Sequence, residues 1–172
     1  DDESSTSEDF RPTGRRYDSS RLHYWRRTAF TLSEWRVLAE HARDLGLLFV
    51  PSTFCQRGFE AALELQPDLM KVGSGEALQD WFLELFAAWR GPTLLSTGMS
   101  SYEEVENGLE ILTSLGNQVS LLQCTTDYPV PLEKVGLNSM REFRRRFNVP
   151  VGLSDHSSSL FPSLAAIGMG AS

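Results

Sequence analysis

A short apolar stretch near the middle of the chain, Leu69-Met70-Lys71-Val72, runs directly into the sequence Gly73-Ser74-Gly75-Glu76. A run of this kind, bounded by glycine, predicts a buried β-strand that ends in polar groups. Lys71 lies inside the apolar run, where a charged side chain is costly unless it meets an anion or a carboxylate. The glycines allow backbone amides to approach a ligand, and Glu76 is a candidate acid or base.

Lys71 has three interpretations. It forms an ion pair with Glu76 or another acid, it binds the phosphate or carboxylate of a substrate, or it acts as a Schiff-base lysine. The residue pattern by itself leaves all three open.

The same pattern of a β-rich run followed by polar residues recurs along the chain. Strands are predicted at residues 47–54, 69–73, 93–96, 119–124 and 150–153, and helices at residues 59–65, 78–89, 101–115, 133–147 and 159–168. The other four strands end in Ser52-Thr53, Ser96-Thr97, Thr125-Thr126-Asp127-Tyr128 and Ser154-Asp155-His156. Strands that alternate with helices in this way predict parallel βαβ units.

The position of the polar residues favours a closed barrel over an open sheet. In a barrel every strand ends at the same mouth, whereas an open doubly wound sheet carries its functional residues at one switch point. Here every predicted strand ends in polar residues, and the sequence contains neither G-x-G-x-x-G nor G-x-x-x-x-G-K-[ST]. We therefore predict an α/β fold of the TIM (β/α)8-barrel type.

The catalytic domain is expected to span residues 31–172, beginning with a helix that is capped at Thr31 and stops at Gly46. Residues 1–30 are rich in Ser, Asp, Arg and Thr without a sustained period, which predicts a loop or mobile leading segment.

Composition narrows the class of protein. The chain has 172 residues, 41% of them hydrophobic, and its apolar runs are far shorter than the roughly 20 residues that span a bilayer. A net charge of −7 argues against a nucleic-acid binder. No secretory signal is visible, and Cys55 and Cys124 are expected to be reduced core thiols, so we expect a cytoplasmic protein.

Two strand ends suggest more specific chemistry. Ser96-Thr97-Gly98-Met99 offers hydroxyl and amide donors for an anion, although such a sequence also caps helices. In Ser154-Asp155-His156, the imidazole is a candidate metal ligand or proton carrier. The alternative is a capping Ser-Asp pair beside a solvated histidine.

Five segments together resemble the sialic acid synthase (N-acetylneuraminate synthase) family, and the match spans about residues 31–172. They are FVPSTF at residues 49–54, MKVGSGE at 70–76, LLSTGM at 94–99, QCTTDYP at 123–129 and VGLSDH at 151–156. Their order and spacing carry the resemblance, since each segment alone is weak evidence.

The resemblance implies a TIM-barrel enzyme that condenses phosphoenolpyruvate with an N-acetylated hexosamine. The acceptor is N-acetylmannosamine or a diacetamido-hexose, and the products are a sialic acid or related nonulosonic acid and phosphate. A divalent metal, Mn²⁺ or Mg²⁺, is implied as the cofactor. The family also implies a homodimer for the full-length protein.

The resemblance further implies roles for individual residues. The positions matching those that hold the phosphate and carboxylate of phosphoenolpyruvate are Thr53, Lys71, Ser74, Ser96 and Ser154. Glu76 matches a catalytic acidic residue, and His156 matches one of two metal-binding histidines. Thr126 and Tyr128 match a segment near the sugar, although some members carry Asn or Ser where Thr126 stands.

Some parts of the family's barrel have no counterpart in this sequence. They are the first two strands, the eighth strand with the second metal-binding histidine, and a small C-terminal domain that covers the partner's sugar site. We therefore expect an incomplete barrel. Two other interpretations stay open: a class I aldolase-type barrel that uses Lys71 as a Schiff base, and a truncated barrel fragment without catalysis.

Overall fold

The computed structural model describes residues 10–13, 16–18 and 21–172. The chain divides into two compact units, the first ending at His41 and the second running from Ala42 to Ser172. The domain boundary expected at residue 31 stays a prediction.

The first unit contains more secondary structure than its composition predicted. Strands β1 (Phe10–Thr13) and β2 (Arg16–Asp18) pair antiparallel, and helix α1 (Arg21–Thr28) follows. The loop predicted over residues 1–30 is therefore wrong for these elements, while residues 1–9, 14–15 and 19–20 lie outside the described part. Thr28 Oγ1 donates to the carbonyl of Tyr24 at 2.9 Å. Local hydrogen bonds of this kind can stabilise a short helix whose sequence shows no regular spacing of apolar residues.

Helix α2 (Leu32–Asp44) begins at the predicted cap. The amide of Thr31 donates to Glu34 Oε2 at 2.7 Å, and the amide of Glu34 donates to Thr31 Oγ1 at 3.3 Å. The predicted stop is also confirmed, because Gly46 follows the helix with a φ of 71°.

The second unit is built on one sheet of five parallel strands. The strands are β3 (Ser52–Thr53), β4 (Met70–Val72), β5 (Thr93–Ser96), β6 (Val119–Cys124) and β7 (Val151–Ser154). Their order in the sheet is their order along the chain. This winding is typical of a barrel wall, since a doubly wound sheet reverses its strand order.

Strand β3 is shorter than the predicted strand over residues 47–54. The carbonyl of Pro51 accepts the amide of Lys71 at 3.0 Å, so the chain already runs beside β4 at that point. Pro51 has no N–H to donate, however, and the amide of Phe49 donates to the side chain of Asp68 instead. The regular ladder therefore starts only at Ser52.

Five helices alternate with the strands as predicted. They are α3 (Gln56–Glu64), α4 (Asp80–Trp89), α5 (Tyr102–Thr113), α6 (Leu137–Phe147) and α7 (Phe161–Gly168). Helix α3 begins three residues earlier than predicted, because Cys55 Sγ accepts the amide of Gly58 at 3.4 Å. Helix α6 begins later, because Gly136 has a φ of 73° and separates it from a 3-10 helix at Leu132–Lys134.

All five of these helices contribute side chains to one core on one face of the sheet. Met70, Val72, Leu95, Leu121 and Val151 join that core from the strands. Alternate strand residues therefore point to the opposite face. We call it the Lys71 face; its members are Ser52, Lys71, Leu94, Ser96, Ser120, Leu122, Cys124, Gly152 and Ser154.

Two compositional expectations can be compared with the structure. Cys55 and Cys124 are both free, but only Cys124 is buried, so the expectation of two core thiols is wrong for Cys55. Within the described part of the chain, no helix is long and apolar enough to cross a membrane.

Candidate functional site

Three strand ends meet at Gly98, which follows β5. Its amide donates a 3.1 Å hydrogen bond to Ser74 Oγ, beyond the end of β4. A Cβ at position 98 would lie 2.9 Å from the carbonyl oxygen of Cys124 and 3.0 Å from Thr126 Cγ2, at the end of β6. The carboxyl ends of β4, β5 and β6 therefore form one polar mouth, as the sequence predicted.

Lys71 is half-buried on the face that carries Ser96 and Ser154. It forms no ion pair within the described residues, so the ion pair with Glu76 that the sequence left open is not formed. Its ammonium group is thus left for a ligand or for solvent.

The Glu76 carboxylate folds back over the end of β4. Its Oε2 occupies the space beside Gly73 that a side chain at position 73 would need. Its backbone amide donates to the carbonyl of Gly73 at 3.2 Å, which closes the turn after the strand. Glu76 therefore follows Lys71 by only five residues, but the turn directs its carboxylate towards Gly73 and the two charges do not form an ion pair.

Two predicted contact residues carry buried hydroxyls without partners. Thr53 is 5% exposed and Ser96 is 1% exposed, and neither hydroxyl oxygen has a hydrogen bond to any residue that the structure describes. A buried polar group without a partner costs about 1 to 3 kcal/mol, so such groups often mark a place for a ligand or water.

The two hydroxyls do not share one face. Ser96 lies on the Lys71 face, whereas Thr53 is in register with Val72 and so lies on the face that carries the helices. Ser52 is the residue of β3 in register with Lys71. Of the residues predicted to bind the phosphate or carboxylate, Thr53 is therefore the one that the strand register places on the face opposite Lys71.

His156 is held by contacts with two neighbouring loops. Its Nδ1 donates to the carbonyl of Thr125 at 2.7 Å, because that oxygen can only accept. Nε2 is then the acceptor, and Tyr128 Oη donates to it at 2.7 Å. Ser154 Oγ lies 3.3 Å from the same nitrogen. The Tyr128 and His156 rings stack with centroids 3.9 Å apart. Three predicted site residues are thus brought into contact.

A model of the NeuB family matches residues 2–172. This chain belongs to the NeuB family.

Several curated relatives of this NeuB-family chain are named as synthases of legionaminic acid, pseudaminic acid or N-acetylneuraminate 9-phosphate. N,N'-diacetyllegionaminic acid synthase of Campylobacter jejuni is 32% identical over 157 residues, covering 90% of this chain and 47% of that protein. Human N-acetylneuraminate-9-phosphate synthase is 30% identical over 159 residues, covering 92% of this chain and 43% of the human protein. The chain spans about half the length of the curated relatives it matches.

Solved structures agree with the fold. The N-acetylneuraminic acid synthetase of Leptospira borgpetersenii, in complex with citrate, matches with a TM-score of 0.79 and 25% identity, over 83% of this chain and 50% of that one. A truncated 3-deoxy-D-arabino-heptulosonate 7-phosphate synthase from Thermotoga maritima matches with a TM-score of 0.71 at 20% identity, over 83% and 58%. The second match shows the fold alone.

The contacts of His156 in this NeuB-family chain bear on whether it could bind a metal ion. The contact of Nδ1 with the Thr125 carbonyl favours the tautomer whose Nε2 lone pair can coordinate a metal, but Tyr128 Oη donates to that lone pair here, so a metal would have to replace this hydrogen bond. Across residues 10–13, 16–18 and 21–172, no group of three or more His, Cys, Asp or Glu side chains could hold a metal ion. The described residues therefore contain no cluster of three such side chains around His156.

Asp155 anchors the loop that carries His156. Its Oδ1 accepts the amide of Ser157 at 2.8 Å, and its Oδ2 accepts the hydroxyl of Ser163, in α7, at 3.2 Å. Burial raises the pKa of Asp155, but the hydrogen bonds from Ser157 and Ser163 and the nearby His156 outweigh it, so the pKa is lowered overall. A charged Asp155 thus ties the end of β7 to α7.

The segment after β6 is the exposed side of the site. Thr126 is exposed, and Tyr128 is 67% exposed. Asp127 lies 3.8 Å from Lys134 in an exposed ion pair, which contributes little to stability.

Sequence reasoning assigned no role to the Thr125 carbonyl or to Ser163, and it offered the amides of the Ser96–Met99 segment as donors for an anion, whereas the Gly98 amide donates to Ser74 Oγ. The Thr125 carbonyl accepts from His156, which lies 31 residues later, and Ser163 donates from α7 to Asp155, so no local sequence pattern marks either group. Gly98 carried a usable signal, since a glycine that directly follows a strand end indicates a close approach of other chain segments.

Proposed function

We propose that this chain carries the phosphoenolpyruvate site of a nonulosonic acid synthase. The proposal is carried by Lys71, which is half-buried on the same sheet face as the buried hydroxyl of Ser96; among the described residues, Lys71 has no ion-pair partner and the Ser96 hydroxyl has no hydrogen-bond partner. A cation beside free hydroxyl donors suits the phosphate or carboxylate of a small substrate. Membership of the NeuB family, with relatives named as acidic-sugar synthases, supports this choice of substrate.

In the proposed reaction, C3 of phosphoenolpyruvate forms a bond to the aldehyde carbon of an open-chain amino sugar. Positive charge develops at C2, where water adds, and the C–O bond to phosphate then breaks to release inorganic phosphate. Lys71, Ser74, Ser96 and Ser154 hold the anionic groups throughout, whereas Thr53, the fifth contact predicted from the sequence, lies on the opposite face of the sheet and is left out of this set. Fixed donors of this kind stabilise charge without reorganising during the reaction.

Glu76 is the proposed catalytic acid or base. Its carboxylate lies at the end of β4 with no hydrogen-bond partner within the described residues, so it is free to exchange a proton with the sugar hydroxyl or with the attacking water.

His156 is the proposed metal ligand of this chain, for Mn²⁺ or Mg²⁺, with its Nε2 as the coordinating atom. When bound, the metal supplies Lewis-acid polarisation of the aldehyde. Tyr128 and Thr126, in the exposed segment beside His156, are the proposed sugar contacts. N-acetylmannosamine and a diacetamido-hexose both fit this proposal, since the names of the relatives include sialic and legionaminic acid synthases.

We further propose that the five parallel strands are part of an eight-stranded barrel, in a cytoplasmic enzyme that works as a homodimer. Consecutive strand order and helices on one face support the barrel. The acceptor site then includes groups from outside this chain.

The test is to express the complete reading frame and measure phosphate release with phosphoenolpyruvate, Mn²⁺ and each candidate sugar. Mass spectrometry should identify a nonulosonic acid formed in equal amount to the phosphate. A lysine adduct trapped by borohydride with pyruvate would instead support the aldolase alternative, which the unpaired Lys71 also permits. Binding of phosphoenolpyruvate without turnover would support the non-catalytic alternative.

A further inference from the structure

Gly98 occupies a position where a side chain has no room. A Cβ there would lie 2.9 Å from Ser74 Oγ and 2.9 Å from the carbonyl oxygen of Cys124. Real Cβ atoms essentially never approach heavy atoms more closely than 3.0 Å, and the Cys124 oxygen is backbone that cannot rotate away. Any larger residue would therefore separate the end of β5 from its neighbours.

The close approach of Gly98 also fixes the Ser74 hydroxyl. Ser74 Oγ accepts the amide of Gly98 at 3.1 Å, and a hydroxyl has a single hydrogen to donate. Because one lone pair is held by Gly98, the O–H must point away from that amide. Within the part of the chain that the structure describes, Ser74 Oγ donates to no acceptor, so its proton is available to a ligand.

We infer that Gly98 is a positioning residue that aims the Ser74 hydroxyl at the anionic substrate. The inference rests on the proposed function, in which Ser74 contacts phosphoenolpyruvate. An amide that donates to a hydroxyl oxygen orients it and also strengthens it as a donor, since hydrogen bonds in a chain polarise one another. Gly98 thereby acts on substrate affinity through Ser74, without touching the substrate through a side chain.

The first test is Gly98→Ala in the product of the complete reading frame. The dissociation constant for phosphoenolpyruvate, from titration calorimetry, and its KM should both rise by roughly tenfold, the size of one lost anion contact. The KM for the sugar should change by less than about twofold. Gly168→Ala is the matched control, because nothing lies within 4 Å of a Cβ at that position at the end of α7. It should leave both substrates unaffected.

Combination with Ser74→Ala separates positioning from general damage. If Gly98 acts through the Ser74 hydroxyl, the double variant should bind phosphoenolpyruvate as weakly as Ser74→Ala alone, because the group to be positioned is already gone. The inference would be overturned if the two substitutions weakened phosphoenolpyruvate binding by factors that multiply in the double variant. It would also be overturned if Gly98→Ala weakened the binding of both substrates equally.

A second measurement needs no substitution at Gly98. The amide of Gly98 should exchange its hydrogen faster in Ser74→Ala than in the unmodified protein, because its acceptor is lost. Unchanged exchange would overturn the inference even if Gly98→Ala fails to fold. An unmodified protein that neither binds phosphoenolpyruvate nor releases phosphate would contradict the proposed function, whereas normal turnover with no selective effect of Gly98→Ala would contradict only this inference.

Discussion

A half-buried lysine without a partner loses hydration and gains no ion pair in return. Lys71 is in that state on the face shared with Ser96 and Ser154, although Glu76 follows it by only five residues in the sequence. The turn after β4 directs the Glu76 carboxylate to Gly73 instead. Because the two charges do not pair, Lys71 can bind an anion while Glu76 exchanges a proton, and a variant of each residue can test these roles separately.

Lys71→Ala should weaken phosphoenolpyruvate binding much more than sugar binding. The expected loss is about 1.5 to 3 kcal/mol, the usual contribution of a hydrogen bond to a charged group. Separate titrations of the two substrates into the product of the complete reading frame would measure it. Lys134→Ala is a suitable control, since that lysine lies in an exposed ion pair with Asp127. Equal weakening of both substrates by Lys71→Ala would contradict an anion-binding role.

Glu76→Gln should lower turnover by roughly two or more orders of magnitude, because the amide cannot exchange a proton as the carboxylate does. The melting temperature should hardly change, since Glu76 forms no ion pair with any described residue that the substitution would remove. Steady-state kinetics and thermal unfolding measure the two effects. Near-normal turnover would exclude proton transfer by Glu76. A large fall in melting temperature would instead support the interpretation in which Glu76 forms an ion pair with Lys71.

At the scale of elements, the loop between β7 and α7 depends on one carboxylate. Asp155 accepts hydrogen bonds from Ser157 and Ser163, and its pKa is lowered in the folded protein. A carboxyl with a lowered pKa stabilises the fold above its unfolded value of about 3.9. That contribution is lost as the pH falls through the lower, folded value.

Asp155→Asn should therefore destabilise the protein at pH 7 by about 1 kcal/mol, and the difference should shrink towards pH 3 as the carboxyl of the unmodified protein takes up a proton. Denaturant unfolding at the two pH values measures it. Asp127→Asn is the matched control, because its exposed ion pair should contribute little at either pH. A pH-independent difference for Asp155→Asn would mean that shape, rather than charge, anchors the loop.

The elements also show what the sequence can and cannot predict. Strands β5 and β6 were predicted with their observed bounds, because their apolar runs are flanked by clear turn signals. Strand β3 was predicted too long, since its apolar residues continue before Ser52, where isolated backbone hydrogen bonds at Phe49 and Pro51 do not make a regular strand. In the site, grouping by strand end was predictable, whereas the stacking of Tyr128 on His156 and the crowding at Gly98 depend on tertiary geometry.

At the scale of the whole molecule, large apolar side chains are exposed at both flanks of the five-stranded sheet. Near β3 they include Leu48 and Phe54, and on α7, beside β7, they include Phe161, Leu164 and Ile167. Phe54 is 70% exposed and Phe161 is 69% exposed. Outer strands also present backbone groups that can pair with another chain. Both features favour self-association.

Residues 1–172 expressed alone should therefore be poorly soluble and associate, and should show no synthase activity. Light scattering after gel filtration measures the association, and phosphate release with phosphoenolpyruvate, N-acetylmannosamine and Mn²⁺ measures the activity. His156 alone should hold Mn²⁺ weakly, because the described residues provide no group of three ligands.

Replacing the exposed residues of α7 tests the cause of the association. Phe161→Ser with Ile167→Gln should raise the monomer fraction of residues 1–172, because it removes apolar surface that lies in water. In the product of the complete reading frame, the same pair should lower stability if α7 is covered there by further chain. A monodisperse, cooperatively unfolding monomer of the unmodified residues 1–172 with measurable turnover would contradict the prediction, since five strands and their helices would then suffice for both folding and catalysis.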